Sequence, residues 1–387
     1  MRALRVGYLL LVAAGSVAAA TESDTGQLAA HLKSLRGHPQ LSREEYRDLR
    51  NEYLAWIDTR VRAGRHADDI NQELKDAGLL FQWLRNIVSD DDLKESKRQM
   101  FESHAGWVEG ARERAIRNSN DLFVVEATID QGVCAEDVTA SLYEKKSLRR
   151  VAEINAGSGS DEHGYYLLSI DAGGRGSDGM RIVASRWVAS NCMSRWNGEL
   201  IRIDRLDGAS VRNLLSRDLY AAVDGNDDVS AEVRSNVVTF RYDGGIGDMD
   251  LLSASAIARY RVTGDEVTRE APVALTRAGF IREWLAMRQT DAARWAERQA
   301  LAMRGTLAQE LHGNLLEWVR VANCGGSPPV WGVAATIGKS NRPRVFRIRG
   351  NRATELRMLS IGDKVTESCP AEDIRKSLAS VGAELPW

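Results

Sequence analysis

Four arginines define the chemistry this sequence most plainly offers. Arg344, Arg347, Arg349 and Arg357 lie in the run "RVFRIRGNRATELR". Alternation places Phe346 and Ile348 on one side of a strand, with Arg347 and Arg349 on the other. After a turn at Gly350 and Asn351, Leu356 and Met358 face inward and Arg357 faces out. Lys339, Arg342 and Arg352 are close by in sequence. Guanidinium groups gathered on one sheet face hold phosphate or carboxylate through forked hydrogen bonds. This is binding chemistry, suited to an envelope polyanion or to the acidic face of a protein partner.

Other groups suggest other chemistries. Asp224, Asn226 and Asp228 alternate in "VDGNDDVSAE" with Glu232 four residues on, so their oxygens could converge on calcium. Val229 stands where an EF-hand needs its glycine and Ser235 where it needs its glutamate. The function this loop would serve is a calcium-stabilised adhesion module. Residues 119–275 hold 25 acidic against 17 basic side chains, enough carboxylates for the acidic site of a secreted hydrolase. His163, beside Asp161 and Glu162, is the histidine best placed to assist one. Neither H-E-x-x-H nor G-x-S-x-G occurs, so no complete catalytic motif is present.

Gly174, Gly176 and Gly179 have the spacing of a dinucleotide fingerprint. That motif needs a helix next, whose N-terminus receives the pyrophosphate. "MRIVASRWVA" follows instead and reads as a strand, so the glycines make a hairpin connection. No nucleotide or other cofactor is expected. Trp187, Trp196, Trp318 and Trp331 fall on strands or their edges, where exposed indoles stack on sugars and buried ones pack the core.

These groups need elements to position them. Residues 1–20, "MRALRVGYLLLVAAGSVAAA", join two arginines, a short apolar core and small residues at Ala18, Ala19 and Ala20. They read as a signal peptide cleaved near Ala20, giving a periplasmic or secreted chain. The apolar core is shorter than the roughly 20 residues a bilayer span takes, and no later run is longer. Export makes disulfides the expected state of Cys134, Cys192, Cys324 and Cys369. Three pairings are open, and Cys134–Cys192 with Cys324–Cys369 would staple one domain each.

The formal charge of −2 excludes a general affinity for nucleic acid or anionic membrane. Residues 276–387 are locally basic, however, with 17 basic and 11 acidic side chains. Their surface either faces the acidic middle region or takes an anionic ligand. Arginine outnumbers lysine 43 to 9, a ratio that GC-rich codon usage accounts for without function.

Periodicity sets the domain plan. Residues 21–118 read as helical. Ser42 and Glu45 form a capping box before a stripe of Tyr46, Leu49, Tyr53, Trp56, Ile57 and Val61. A second stripe runs from Ile70 through Leu74, Phe81 and Leu84 to Val88, and a third through Leu93, Met100, Trp107 and Ala111. Residues 119–275 carry nine or so short strands, as in an antiparallel sandwich or barrel. Residues 276–312 are connecting helices, opened by Thr276. Residues 313–387 form a small α+β domain with a helix after Pro370. The fold class expected is α+β and multidomain, and the function a non-catalytic envelope or secreted binding protein.

Overall fold

The computed structural model describes residues 24–36, 38, 41–81, 91, 94, 107–116, 118–130, 136–156, 165–176, 179–189, 198–208, 210–220, 230–245, 253–271, 273–274, 277–310, 316–337 and 343–363. The leader, Thr276 and the segment after Pro370 lie outside these residues.

Three helices come first: α1 (24–35), α2 (Arg43–Arg62) and α3 (Ala67–Asp76). Ser42 caps α2 as its sequence predicts. Its hydroxyl accepts from the Glu45 amide at 3.3 Å, and its own amide donates to the Glu45 carboxylate at 2.8 Å. Leu49, Tyr53, Trp56, Ile57 and Val61 are buried along one stripe. α3 buries Ile70 and Leu74 and stops at Asp76, well short of Val88. Gly78 at φ +67° ends the helical path, and Phe81 is already part of an extended segment.

The third predicted helix is corrected over its described part. Residues Val108–Ala115 form strand β1. A bulge between Val108 and Gly110 puts Val108 and Ala111, three apart as on one face of a helix, on the same side of the strand. Backbone pairing with the next strand then decides the outcome. Leu93 and Met100 lie outside the described residues.

Among the described residues, β1 opens the first of four antiparallel sheets, each a meander of four consecutive strands. The first continues with β2 (Leu122–Asp130), β3 (Glu136–Glu144) and β4 (Arg150–Asn155). The second holds β5 (Tyr165–Ala172), β6 (Arg181–Ala189), β7 (Gly198–Asp207) and β8 (Ser210–Tyr220). The third holds β9 (Ser230–Arg234), β10 (Val237–Gly245), β11 (Ser253–Thr263) and β12 (Glu266–Glu270). Helices α4 (Arg277–Ala286), α5 (Gln289–Ala293) and α6 (Arg298–Glu310) follow. The fourth sheet is β13 (Leu316–Asn323), β14 (Val330–Ile337), β15 (Arg344–Arg349) and β16 (Arg357–Gly362). The first sheet therefore spans the boundary expected at residues 118 and 119.

Two local features escape simple alternation. "EVRSNVVTFRY" is two strands, because Ser235 at φ +53° folds the chain back and pairs Arg234 with Val237. β12 is the other, too short and charged to stand out. The glycine-rich run after β5 is a hairpin loop, in which the Gly176 amide donates to the Met180 carbonyl at 2.7 Å before β6 returns antiparallel.

Period-2 alternation assigns each strand's two faces to different cores. On β2, Phe123, Val125, Ala127 and Ile129 pack against α1–α3, while Leu122 and Val124 pack against the second sheet. The second sheet sends Val183, Trp187 and Leu200 to the first, and Ala184, Ile201 and Ile203 to the third. Ala258, Tyr260 and Val262 face back from β11. The fourth sheet packs on α4–α6 through Phe346, Ile348, Met358 and Trp284, all fully buried. Each such large apolar side chain contributes about 1.5–3 kcal/mol.

The exposed edge of β1 is closed by side chain and backbone together. Asn71 on α3 accepts from the Ala111 amide at 2.7 Å and donates to the Ala111 carbonyl at 2.8 Å. The Phe81 amide donates to the Val108 carbonyl at 2.7 Å. Gly110 makes this approach possible. It holds φ +102°, and a Cβ there would sit 2.5 Å from the Asn71 Oδ1. Gly110→Ala is expected to lower stability by about 2–4 kcal/mol, through strain and loss of the Asn71 bonds. Equilibrium urea denaturation checks this.

Candidate functional site

The arginine face is built by the fourth sheet. Val345, Phe346 and Ile348 are buried, Arg347 is partly covered and Arg349 is exposed. β15 and β16 pair Arg349 with Arg357 and Arg347 with Ser360, with a bulge between the two pairs. On the other flank, β14 sets Gly332 opposite Arg347. Directly opposed residues point to the same side of a sheet, so Arg347, Arg349, Arg357 and Ser360 share the face turned away from α4–α6. Gly350 ends β15 at φ +117°, where a Cβ would lie 2.8 Å from the Glu355 carbonyl oxygen. A glycine is required there to bring Arg357 back beside Arg349.

The four predicted arginines are not equivalent. Arg344 is ion-paired with Asp363. Arg349 lies 3.6 Å from the Glu297 carboxylate, both side chains being nearly half exposed, at 44% and 45%. Arg357 donates to the Ala296 carbonyl at 3.3 Å. Among the described residues, no acid lies within ion-pair distance of Arg347. The same face is buried at Ala322, Ala334 and Val345, which confines the cluster to its β15–β16 end. Glu297, Ser360 and Gly332 carry no motif. Only strand register and the bridge between Ala296 and Met358 bring them here.

The remaining expectations divide sharply. Asp224, Asn226, Asp228, His163, Lys339 and Arg342 lie outside the described residues. So do Cys134, Cys192 and Cys369. Cys324, just after β13, is disulfide-bonded to a partner outside the described residues. Its sulfur stands 3.7 Å from where a Cβ on Gly332 would be. Trp187 is fully buried and donates to the Ser185 hydroxyl at 2.8 Å. Trp331 is buried with the Arg277 guanidinium 3.5 Å above its ring. These two indoles therefore pack the core and present no platform for sugar. Trp196 and the Trp318 side chain lie outside the described residues.

Charged groups buried between layers form a second class of candidate. Glu126 on β2 is 5% exposed. It pairs with Arg114 of β1, which also donates to the Leu167 and Leu168 carbonyls of β5, each at 3.2 Å. Asp137 accepts from the Tyr46 hydroxyl, from Asn155 at 2.7 Å and from the Tyr165 amide at 3.3 Å. Arg186 and Glu199 pair in full burial. All these acids are engaged internally and closed to solvent, so the geometry supports a structural role for them.

Burial raises the Glu126 carboxyl to about 7, against the pull of Arg114 and Arg112 toward ionisation. Burial likewise raises Asp137. Asp121 behaves oppositely, because its hydrogen bonds from Arg181 hold it at about 2. An acid raised on folding contributes stability in full below its unfolded value and loses it as pH climbs through the folded value. Stability from Glu126 is thus expected to fall between about pH 5 and pH 8. Urea midpoints at those two pH values check this, and Glu126→Gln should flatten the slope.

No protein-family model matches the chain, and neither does any curated protein. Among the described residues, no helix is long and apolar enough to cross a membrane.

Proposed function

We propose that this is an exported, non-catalytic envelope or secreted protein that binds an anionic ligand on the arginine face of its fourth sheet. The observation that carries the proposal is the register of Arg349 against Arg357, with Arg347 on the same face. Like charges set directly opposite on neighbouring strands cost stability in isolation. Buried guanidinium groups of the chain are consumed by carboxylates and carbonyls, as in Arg181 with Asp121 and Arg186 with Glu199. This face keeps cationic charge near the surface.

Export rests on the leader and on the cysteines. The bonded state of Cys324 suits an oxidising compartment, and we assign its partner as Cys369, with Cys134 pairing Cys192. The face-to-face packing of the second and third sheets favours a sandwich over a barrel for residues 119–275.

The test is capture of polyanions by the full chain. Arg347→Ala with Arg349→Ala should abolish binding to an anionic matrix such as heparin at about 0.1 M salt, where surface charges still act across about 10 Å. The urea midpoint should stay within about 0.5 kcal/mol of the parent, as for surface substitutions generally. Unchanged capture by the double variant would overturn the proposal.

A further inference from the structure

Resting on that anion-binding reading, we infer that the ligand group is a phosphate-type dianion seated across β15 and β16 by Arg347, Arg349 and Arg357. Glu297 stands in for it in the free protein. The argument begins with donor number. A carboxylate is planar, and one guanidinium fork satisfies it. Three guanidinium groups each carry five N–H donors, of which Arg357 commits one to the Ala296 carbonyl. Ser360, opposite Arg347, adds a hydroxyl. A phosphate presents three terminal oxygens in three directions and can use donors converging from two strands.

Spacing agrees with this. Opposed residues on neighbouring antiparallel strands lie about 5 Å apart, and the next residue on the same face about 7 Å away. Arginine side chains span such distances easily, so the three can close on one tetrahedral group. On the β14 side, Gly332 brings no side chain over Arg347, although the sulfur of disulfide-bonded Cys324 and Val345 flank it, at 3.7 and 4.0 Å from where its Cβ would be, so a ligand reaches the arginines from the β15–β16 end.

Glu297 supplies the second observation. Its backbone is fixed, because its amide donates to the Met358 carbonyl at 2.8 Å on the edge of β16. Its carboxylate reaches only to 3.6 Å from Arg349, and both side chains are nearly half exposed, at 45% and 44%. Such a pair contributes little, so an incoming anion with more oxygens displaces it readily. Arg344, by contrast, is engaged by Asp363 at the far end of the strand and is not part of the seat.

Calorimetry on the full chain tests this with glycerol phosphate, with polyglutamate, and with phosphatidylcholine vesicles carrying phosphatidic acid. Glycerol phosphate should bind, Arg347→Ala should weaken it by about tenfold or more, and Glu297→Gln should tighten it several-fold. Arg347→Lys, which keeps the charge and the fold, should recover only part of the loss. Binding to vesicles alone would still support a phosphate seat, with a lipid headgroup as its source. Arginine-dependent binding of polyglutamate without either phosphate ligand would overturn the inference and leave the anion-binding function standing. Failure of all three ligands would overturn the inference, and a parent chain that also fails to bind heparin would overturn the anion-binding reading. A Glu297→Gln variant that binds glycerol phosphate no more tightly than the parent would remove Glu297 from the account.

Discussion

Guanidinium groups that satisfy backbone carbonyls at layer junctions are the interaction on which this fold depends. A stack of short meanders leaves many strand ends and edges between layers, and a buried carbonyl without a partner costs about 1–3 kcal/mol. Arg114 serves the carbonyls of Leu167 and Leu168 where β5 bulges against the first sheet. Arg202 reaches from β7 to the Asn155 carbonyl at the end of β4. Arg269, 1% exposed, donates to Ile257 at 2.9 Å and to Val273 at 2.6 Å. Arg288 and Arg294 serve the outer carbonyls of β12, at Val267 and Arg269. Arg304 closes the C-terminal end of α4 by donating to Trp284, Leu285 and Met287.

This pattern revises the meaning of the 43 arginines against 9 lysines. Codon usage supplies the bias, but the structure uses it. A planar fork meets two or three carbonyls at once, whereas an ammonium group is a compact, strongly hydrated point charge. Acids complete several of these junctions. Glu283 of α4 lies 3.1 Å from Arg217 of β8 and 3.8 Å from Arg269 of β12, tying the second and third sheets to the helices. Asp171 on β5 accepts from Asn118 and, at 2.8 Å, from the Val233 amide of β9, so one carboxylate joins three sheets. The arginine face of the fourth sheet is distinguished against this background. There Arg349 is exposed and Arg347 partly so, and Arg357 alone of the three serves a junction carbonyl, that of Ala296.

Much of this architecture was legible in the sequence, because alternation and capping act over a few residues. "LFVVEATI", "GELIRIDRL" and "RVFRIR" each appear as strands with the predicted faces buried, and Ser42 caps the helix it announces. The failures have physical causes. The bulge leaves Val108 and Ala111 at a helix-like spacing, so only their cross-strand partners Ile129 and Ala127 make that segment a strand. The four-fold recurrence of a four-stranded meander leaves no trace, because each sheet meets different neighbours and its side chains are chosen accordingly. In the candidate site, alternation places Arg347 and Arg349. It cannot place Glu297, which arrives through a bridge to Met358 from sixty residues away.

The central claim is that forked donors, not positive charge alone, hold the layers together. Its most direct test is the urea stability of Arg114→Lys, Arg269→Lys and Arg304→Lys, with exposed Arg352→Lys as the control. The account predicts a loss of about 1–3 kcal/mol for each of the first three and no measurable change for the control. Lysine variants as stable as the control at all three junctions would contradict it.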